Sequence, residues 1–422
     1  MPRALATLAA IALLAACGGD GGQAAAAPSA TVDTSALVSV PGRLLVLGTD
    51  GSVFTIAPDG SDHVVLAPAG PGRAATQPMW SPDGTRVAWV DIELRGGIPT
   101  GRVAASRADG SDRTIVEVGG TPFFLAWDPA SSRVAYLHGD VRAGIALGVV
   151  DAAHGGRPDV IARGQPLYFD WAPDGRQLLV HIGDGYLGYV SLDGQSRPLV
   201  EAGATFRAPE WRRDDGRRFY AARLAGGDAL VERSADDVRR ELARLDGLIA
   251  FASSPDGHRI AYQASTPDDG PAGGSARSNI AQTQAAPAAP PDGLVVADLR
   301  TGATTTVVDE PVTAFFWSPA GDRLLYLVVE QTIRGLLTRW WTWDDAGTVR
   351  LDLFAPSLEY VRDYLPFFDQ FARVSTPWSP DGTQFAYAGI AESGESGVWV
   401  QSADGAIPPI LVADGVYAAW SP

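Results

Sequence analysis

A chain of 422 residues with 33 basic and 49 acidic side chains carries a formal charge of −16, a balance that argues against nucleic acid as a partner. Every basic residue is arginine, so phosphate-loop lysines and Schiff-base chemistry are excluded. The single cysteine leaves nothing for disulfides. The five histidines (His63, His138, His154, His181, His258) show no His-x-His or His-Glu-x-x-His spacing, and neither a metal nor a cofactor is expected.

Residues 1–16 carry one positive charge, Arg3, and then an apolar run of signal-peptide length, too short to span a bilayer. Leu14-Ala15-Ala16-Cys17 resembles a bacterial lipobox, which implies lipidation at Cys17. An alanine-rich cytosolic start is the alternative. Residues 17–42 are rich in Gly, Ala, Ser and Thr and read as a flexible tether. Residues 43–66 supply three strands, with Pro58-Asp59-Gly60 turning the last two.

At Trp80-Ser81-Pro82-Asp83-Gly84 a motif begins that recurs to the last residue, its first place held by Trp80, Trp127, Trp171, Trp211, Ser253, Trp317, Trp378 and Trp420. Proline presets the second position of a type I turn and glycine tolerates the exit, so the chain must reverse at each copy. Six residues on stands Arg or Gln (Arg86, Arg133, Gln177, Arg217, Arg259, Arg323, Gln384). A short apolar run follows, with an aromatic at the ninth place in all but Val180. A second turn follows at Asp109-Gly110, Asp193-Gly194 and Asp404-Gly405, so each unit is expected to be a four-stranded antiparallel sheet. A repeat of roughly 40 residues marks a propeller or another array.

These units resemble the propeller repeats of the TolB-type family, relatives in architecture of the WD-repeat proteins, over about nine tenths of the chain. The resemblance implies an all-β propeller of four-stranded blades. Eight are expected, with seven as the alternative if one degenerate unit is merged. No α/β domain precedes the first strand, so TolB's partner-binding role is not implied. Residues 43–66 lack a first strand and residues 416–422 offer only one; the two ends are expected to share a blade and close the ring over 43–422.

Four stretches depart from the repeat. In the Trp211 unit the turn is Arg212-Arg213-Asp214-Asp215-Gly216; Arg212, Arg213, Arg217 and Arg218 could grip an anion or form a solvated loop. Residues 234–245 could form a capped helix, but the repeat favours strands. Residues 264–292, poor in large apolar side chains, read as a disordered loop. Residues 357–372 are dense in aromatics and must cover something, with Ser357 able to cap a short helix and Pro366 to break it.

Propellers bind at loops around the channel, so Tyr364, Phe367, Phe368, Asp369 and Gln370 of this insertion are candidate binding residues, as are Trp340, Trp341 and Trp343 before it. Packing is the alternative for both sets. In a strand Trp340 points away from the other two. Calcium at Asp59-Gly60-Ser61-Asp62 or Asp109-Gly110-Ser111-Asp112 is a weak alternative to turn formation. No Gly-x-Ser-x-Gly elbow occurs and no hydrolase domain follows the repeats. The expectation is a monomeric, lipid-anchored, extracytoplasmic propeller that binds an envelope protein, peptide or glycan. An enzyme with an axial site built from several blades is the alternative.

Overall fold

A computed structural model describes residues 35–422 apart from 38, 205–206, 245–247 and 266–292. The signal peptide, Cys17, most of the tether and most of the low-complexity insertion therefore lie outside the described residues.

The motif folds as its chemistry dictates. The buried Ser81 hydroxyl donates to Asp83 (2.6 Å) and accepts the Arg86 amide (2.9 Å), while the Thr85 amide caps the same carboxylate (3.0 Å). Ser379 repeats the pattern with Asp381, Gln384 and Thr383. Where Asp128 stands in place of serine, its carboxylate takes the Ser132 and Arg133 amides directly (2.8 and 3.0 Å). Each tight turn leads from a first strand that ends at the motif position into a second strand.

Repeated around the chain, this makes a β-propeller of antiparallel sheets. The units at Trp80, Trp127, Trp171 and Ser253 are four-stranded. In the Trp211 unit the inner edge is split into Ala202–Gly203 and Glu210–Trp211, both paired with Arg218–Leu224. Its last strand is Arg239–Arg244, where the local sequence also admitted a helix. The Trp317 and Trp378 units are fused, because Phe354, Ala355 and Pro356 pair with Ala391, Ile390 and Gly389. Among the described residues hydrogen bonding thus gives seven sheets where the motif gives eight repeats.

The two ends of the chain meet. Leu44–Leu47 pairs with Val53–Ile56 on one side and with Tyr417–Trp420 on the other, Leu44 opposite Trp420 and Leu45 opposite Ala419. Within the stretch assigned to the tether by composition, Leu37 is fully buried and Val40 packs on the same apolar cluster.

Neighbouring units are stitched at two repeated places. The indole N–H of Trp80, Trp171, Trp317 and Trp378 donates to the carbonyl of Ala419, Ala126, Ala252 and Phe316. Each acceptor stands just before the motif position of the preceding unit. In the other direction, Arg86, Arg133 and Arg217 donate to the Ala152, Gly175 and Gly257 carbonyls of the following unit. These four tryptophans and three arginines are therefore joints of the ring, whereas the indole N–H groups of Trp127 and Trp420 are buried without a partner.

Candidate functional site

Antiparallel order fixes what lies on each face. First strands end at the motif turns, so those turns share one face. The turns between second and third strands, and the passages from an outer strand to the next inner one, share the other.

The aromatic insertion is one of these passages, between Gly347–Pro356 and the bridge at Thr376. Ser357 accepts the Tyr360 amide (3.1 Å) and donates to the Val416 carbonyl (2.5 Å), fixing the entry. A π-helical turn, Tyr360–Tyr364, gives way to the 3-10 turn Leu365–Phe367, which contains Pro366, and then to the α-turn Phe368–Phe371.

The insertion covers the axis of the ring. Tyr364 stacks on Tyr417 at 4.0 Å, Phe371 meets Phe124 at 5.1 Å, and Phe368 meets Phe315 at 5.0 Å. Asp369 accepts the Ala208 amide (3.3 Å). These partners belong to first strands of different units around the ring, so the segment must lie across its centre. Between the insertion and the strands at Phe316, Ala386–Ala388 and Tyr417–Ala418 a partly open cavity of about 30 Å³ remains, room for a water and not for a substrate.

Of the candidates from the sequence, Tyr364, Phe368, Asp369 and Gln370 are thus buried, and Phe367 alone stands out from the insertion, 44% exposed. Trp340 is buried among Phe316, Phe354 and Phe385. Trp341 faces the other way, half-buried against Tyr326, and Trp343 lies beside the Arg259 guanidinium. The Asp59 and Asp109 carboxylates accept the amide and hydroxyl of Ser61 and Ser111, so turn formation already occupies them. Among the described residues no group of three potential metal ligands comes together.

Sequence reasoning missed the polar side of the axis. Arg373 donates to the carbonyls of Ala208 (2.9 Å) and Pro209, lies 4.0 Å from the Glu210 carboxylate, and covers the Phe251 ring. Asp170 accepts the Trp171 and Trp211 amides (2.8 and 2.7 Å). Burial pushes its carboxyl up to about 6, against the pull of Arg373. Asp170 and Glu210 hold the place just before the motif position, apolar or proline in every other unit; that break in the repeat was the available signal.

The arginine-rich turn is neither an anion grip nor a solvated loop. Arg212 is buried and donates to the Ser253 hydroxyl and to the carbonyls of Ser254 and Pro255. Arg217 pairs with Asp215 and Glu232, and Arg218 with the Tyr189 hydroxyl and Asp237. Arg213 is the exposed member.

Beside the insertion lies an open cleft of about 370 Å³, lined by Thr49, Thr76, Gln77, Phe123, Glu359 and Asp363 among others. Most of the exposed large apolar side chains among the described residues lie on this same face, spread over several units: Leu94, Ile98, Phe123, Val141, Val200, Ile333, Leu358, Phe367 and Ile390. The remaining ones are Val65, Ile115 and Val349 on outermost strands and Val238 on the turn face.

No protein-family model matches the chain, and no curated protein matches it in sequence. Solved structures match in shape. A crystal structure of the eukaryotic initiation factor aligns over 90% of this chain and 98% of its own at 11% identity, with a TM-score of 0.52. TolB from Acinetobacter baumannii aligns over 84% of each chain at 16% identity, with a TM-score of 0.39. The β-propeller domain of the Trilobed protease from Pyrococcus furiosus aligns over 78% of this chain and 95% of its own at 11% identity, with a TM-score of 0.45. At such identities the likeness is one of fold. No described helix is long and apolar enough to cross a membrane.

Proposed function

We propose that this propeller is a binding or assembly module of the bacterial cell envelope, anchored by lipid at Cys17 outside the cytoplasm. It recognises an envelope protein, a peptide or a glycan through the face that carries the insertion. The observation behind this reading is that most exposed aliphatic and aromatic side chains among the described residues, spread over several units, and an open cleft share that face, while the opposite face consists of hydrogen-bonded turns. The chain enters the ring at the turn face, where the Ser421 amide donates to the Arg43 carbonyl (2.9 Å), so the apolar face lies opposite that entry.

The test is photo-crosslinking in membranes, with the reactive group at position 98 or 333 and, as control, at position 238. A reproducible product from the first two sites and none from the third is expected. No product from any site, together with turnover of a small substrate by the purified protein, would overturn the reading.

A catalytic reading has one observation in its favour, the Asp170 carboxyl raised to about 6 beside Glu210 and Arg373. Against it, both oxygens of the Asp170 carboxylate are already taken by the Trp171 and Trp211 amides. Loss of a measured turnover in Asp170→Asn would support catalysis.

A further inference from the structure

Resting on the binding reading, we propose that the cleft beside the insertion receives an arginine or lysine side chain carried on an extended segment of a partner protein. Beside the covered axis this cleft, between the insertion and the sheets containing Thr49, Thr76 and Phe123, is an open concavity of the face.

Its chemistry is that of a cation seat with an apolar wall. Glu359, Arg362 and Asp363 line it, and the Glu359 charge acts on the Arg362 guanidinium without a direct hydrogen bond. Asp363 is held by a fork from Arg362, Nε to Oδ1 at 2.7 Å and Nη2 to Oδ2 at 2.6 Å. The Arg362 side chain is 61% exposed, so an exposed guanidinium of the chain itself already demonstrates how this carboxylate takes a cation. An incoming arginine can displace it with little loss, since exposed ion pairs contribute little to stability.

Phe123 is 42% exposed, a surface that the methylene stem of arginine or lysine covers while its charged head reaches the carboxylates. At the floor, Gln77 sits in a bulge of its strand at φ +50°, a conformation costly for a residue with a side chain. Its amide oxygen is buried without a hydrogen-bond partner. Formal charge of −16 draws basic partners to the molecule as a whole. Beyond the cleft, Leu94 and Leu358 extend an apolar rim that a lone ion would leave unused and a peptide would cover.

The experiment titrates the full-length protein with the labelled peptide acetyl-Ala-Leu-Arg-Leu-Ala-amide, with its glutamate-for-arginine counterpart, and with spermidine as competitor. The arginine peptide is expected to bind at least about tenfold more tightly than the glutamate peptide, and more weakly as salt rises. Glu359→Gln combined with Asp363→Asn should cost about tenfold, Phe123→Ser several-fold, and Val238→Ser on the opposite face nothing. Equal binding of both peptides, or no effect of the carboxylate variants, overturns the inference. Spermidine binding as tightly as the peptide overturns the extended-segment part of it. If positions 98 and 333 still crosslink a partner while the arginine peptide does not bind, the cleft assignment fails and the binding reading stands.

Discussion

At the scale of single residues, the ring is held by substitutions that compensate one another. Ser253 has no indole to donate to the preceding unit. There the Glu210 carboxylate accepts both the Ser253 amide (3.1 Å) and its hydroxyl, and the Arg212 guanidinium crosses into the gap. Truncating a buried guanidinium strands the carbonyls it serves, at roughly 1–3 kcal/mol for each unpaired polar group. Arg212→Ala should therefore destabilise by about 3 kcal/mol, read as a shifted urea midpoint, whereas Arg213→Ala on the exposed neighbour should change it by less than about 0.5 kcal/mol.

The carboxylates set the pH dependence at the same scale. Asp170 is raised from 3.8 to about 6, so the folded state holds this proton more tightly than the unfolded chain does. Stability is given up as pH climbs between those values, by on the order of 3 kcal/mol in full. Asp83 and Asp381 shift downwards: burial raises them, but bonds from Ser81 and Thr85, or Ser379 and Thr383, outweigh it. Their contribution is present above the usual carboxylate range and is lost as pH falls through it. Melting temperature should peak at mildly acidic pH, and Asp170→Asn should flatten the decline above about pH 4 while leaving the acid limb in place.

Among the elements, the insertion does the most for its length. Val361, Leu365 and Phe368 join the core cluster of Phe316 and Trp340, whereas Tyr364 and Phe371 join that of Phe124 and Tyr417. It therefore ties two halves of the ring together across the axis. Replacing 358–372 with a Gly-Ser linker should uncover Phe124, Phe315 and Tyr417. The expected result is a melting temperature lower by more than about 10 °C with new binding of a hydrophobic dye; an unchanged melting temperature would show that the insertion only rests on the surface. The sequence made clear that these aromatics needed a surface to cover. Which surface was not legible, because the insertion lies outside the repeat and its partners are spread from Phe124 to Tyr417. The opposite orientation of Trp340 and Trp341 was legible, since alternation along a strand is local.

For the whole molecule, closure is the decisive feature. Leu44–Leu47 is covered on one edge by Tyr417–Trp420, and without that strand its backbone groups would be left as an open template. Ending the chain after Asp414 should convert a monodisperse protein into one that self-associates, by size-exclusion chromatography with light scattering. A truncated chain that stays monomeric and melts as before would contradict the role given to this strand.

What the sequence determined by itself was everything that repeats or is local: the turn chemistry of the motif, the four-strand unit, the strand at Arg239–Arg244, and the need for the two incomplete ends to complete each other. Turns and alternation are decided within a few residues, and a period makes each copy evidence for the others. The tertiary structure alone decided the rest. It placed the insertion over the axis, turned the arginine-rich loop into a joint, docked Leu37, and gathered apolar side chains from distant turns onto one face beside a cleft. Those outcomes depend on contacts between residues hundreds of positions apart, for which no local pattern of charge or hydropathy carries a signal.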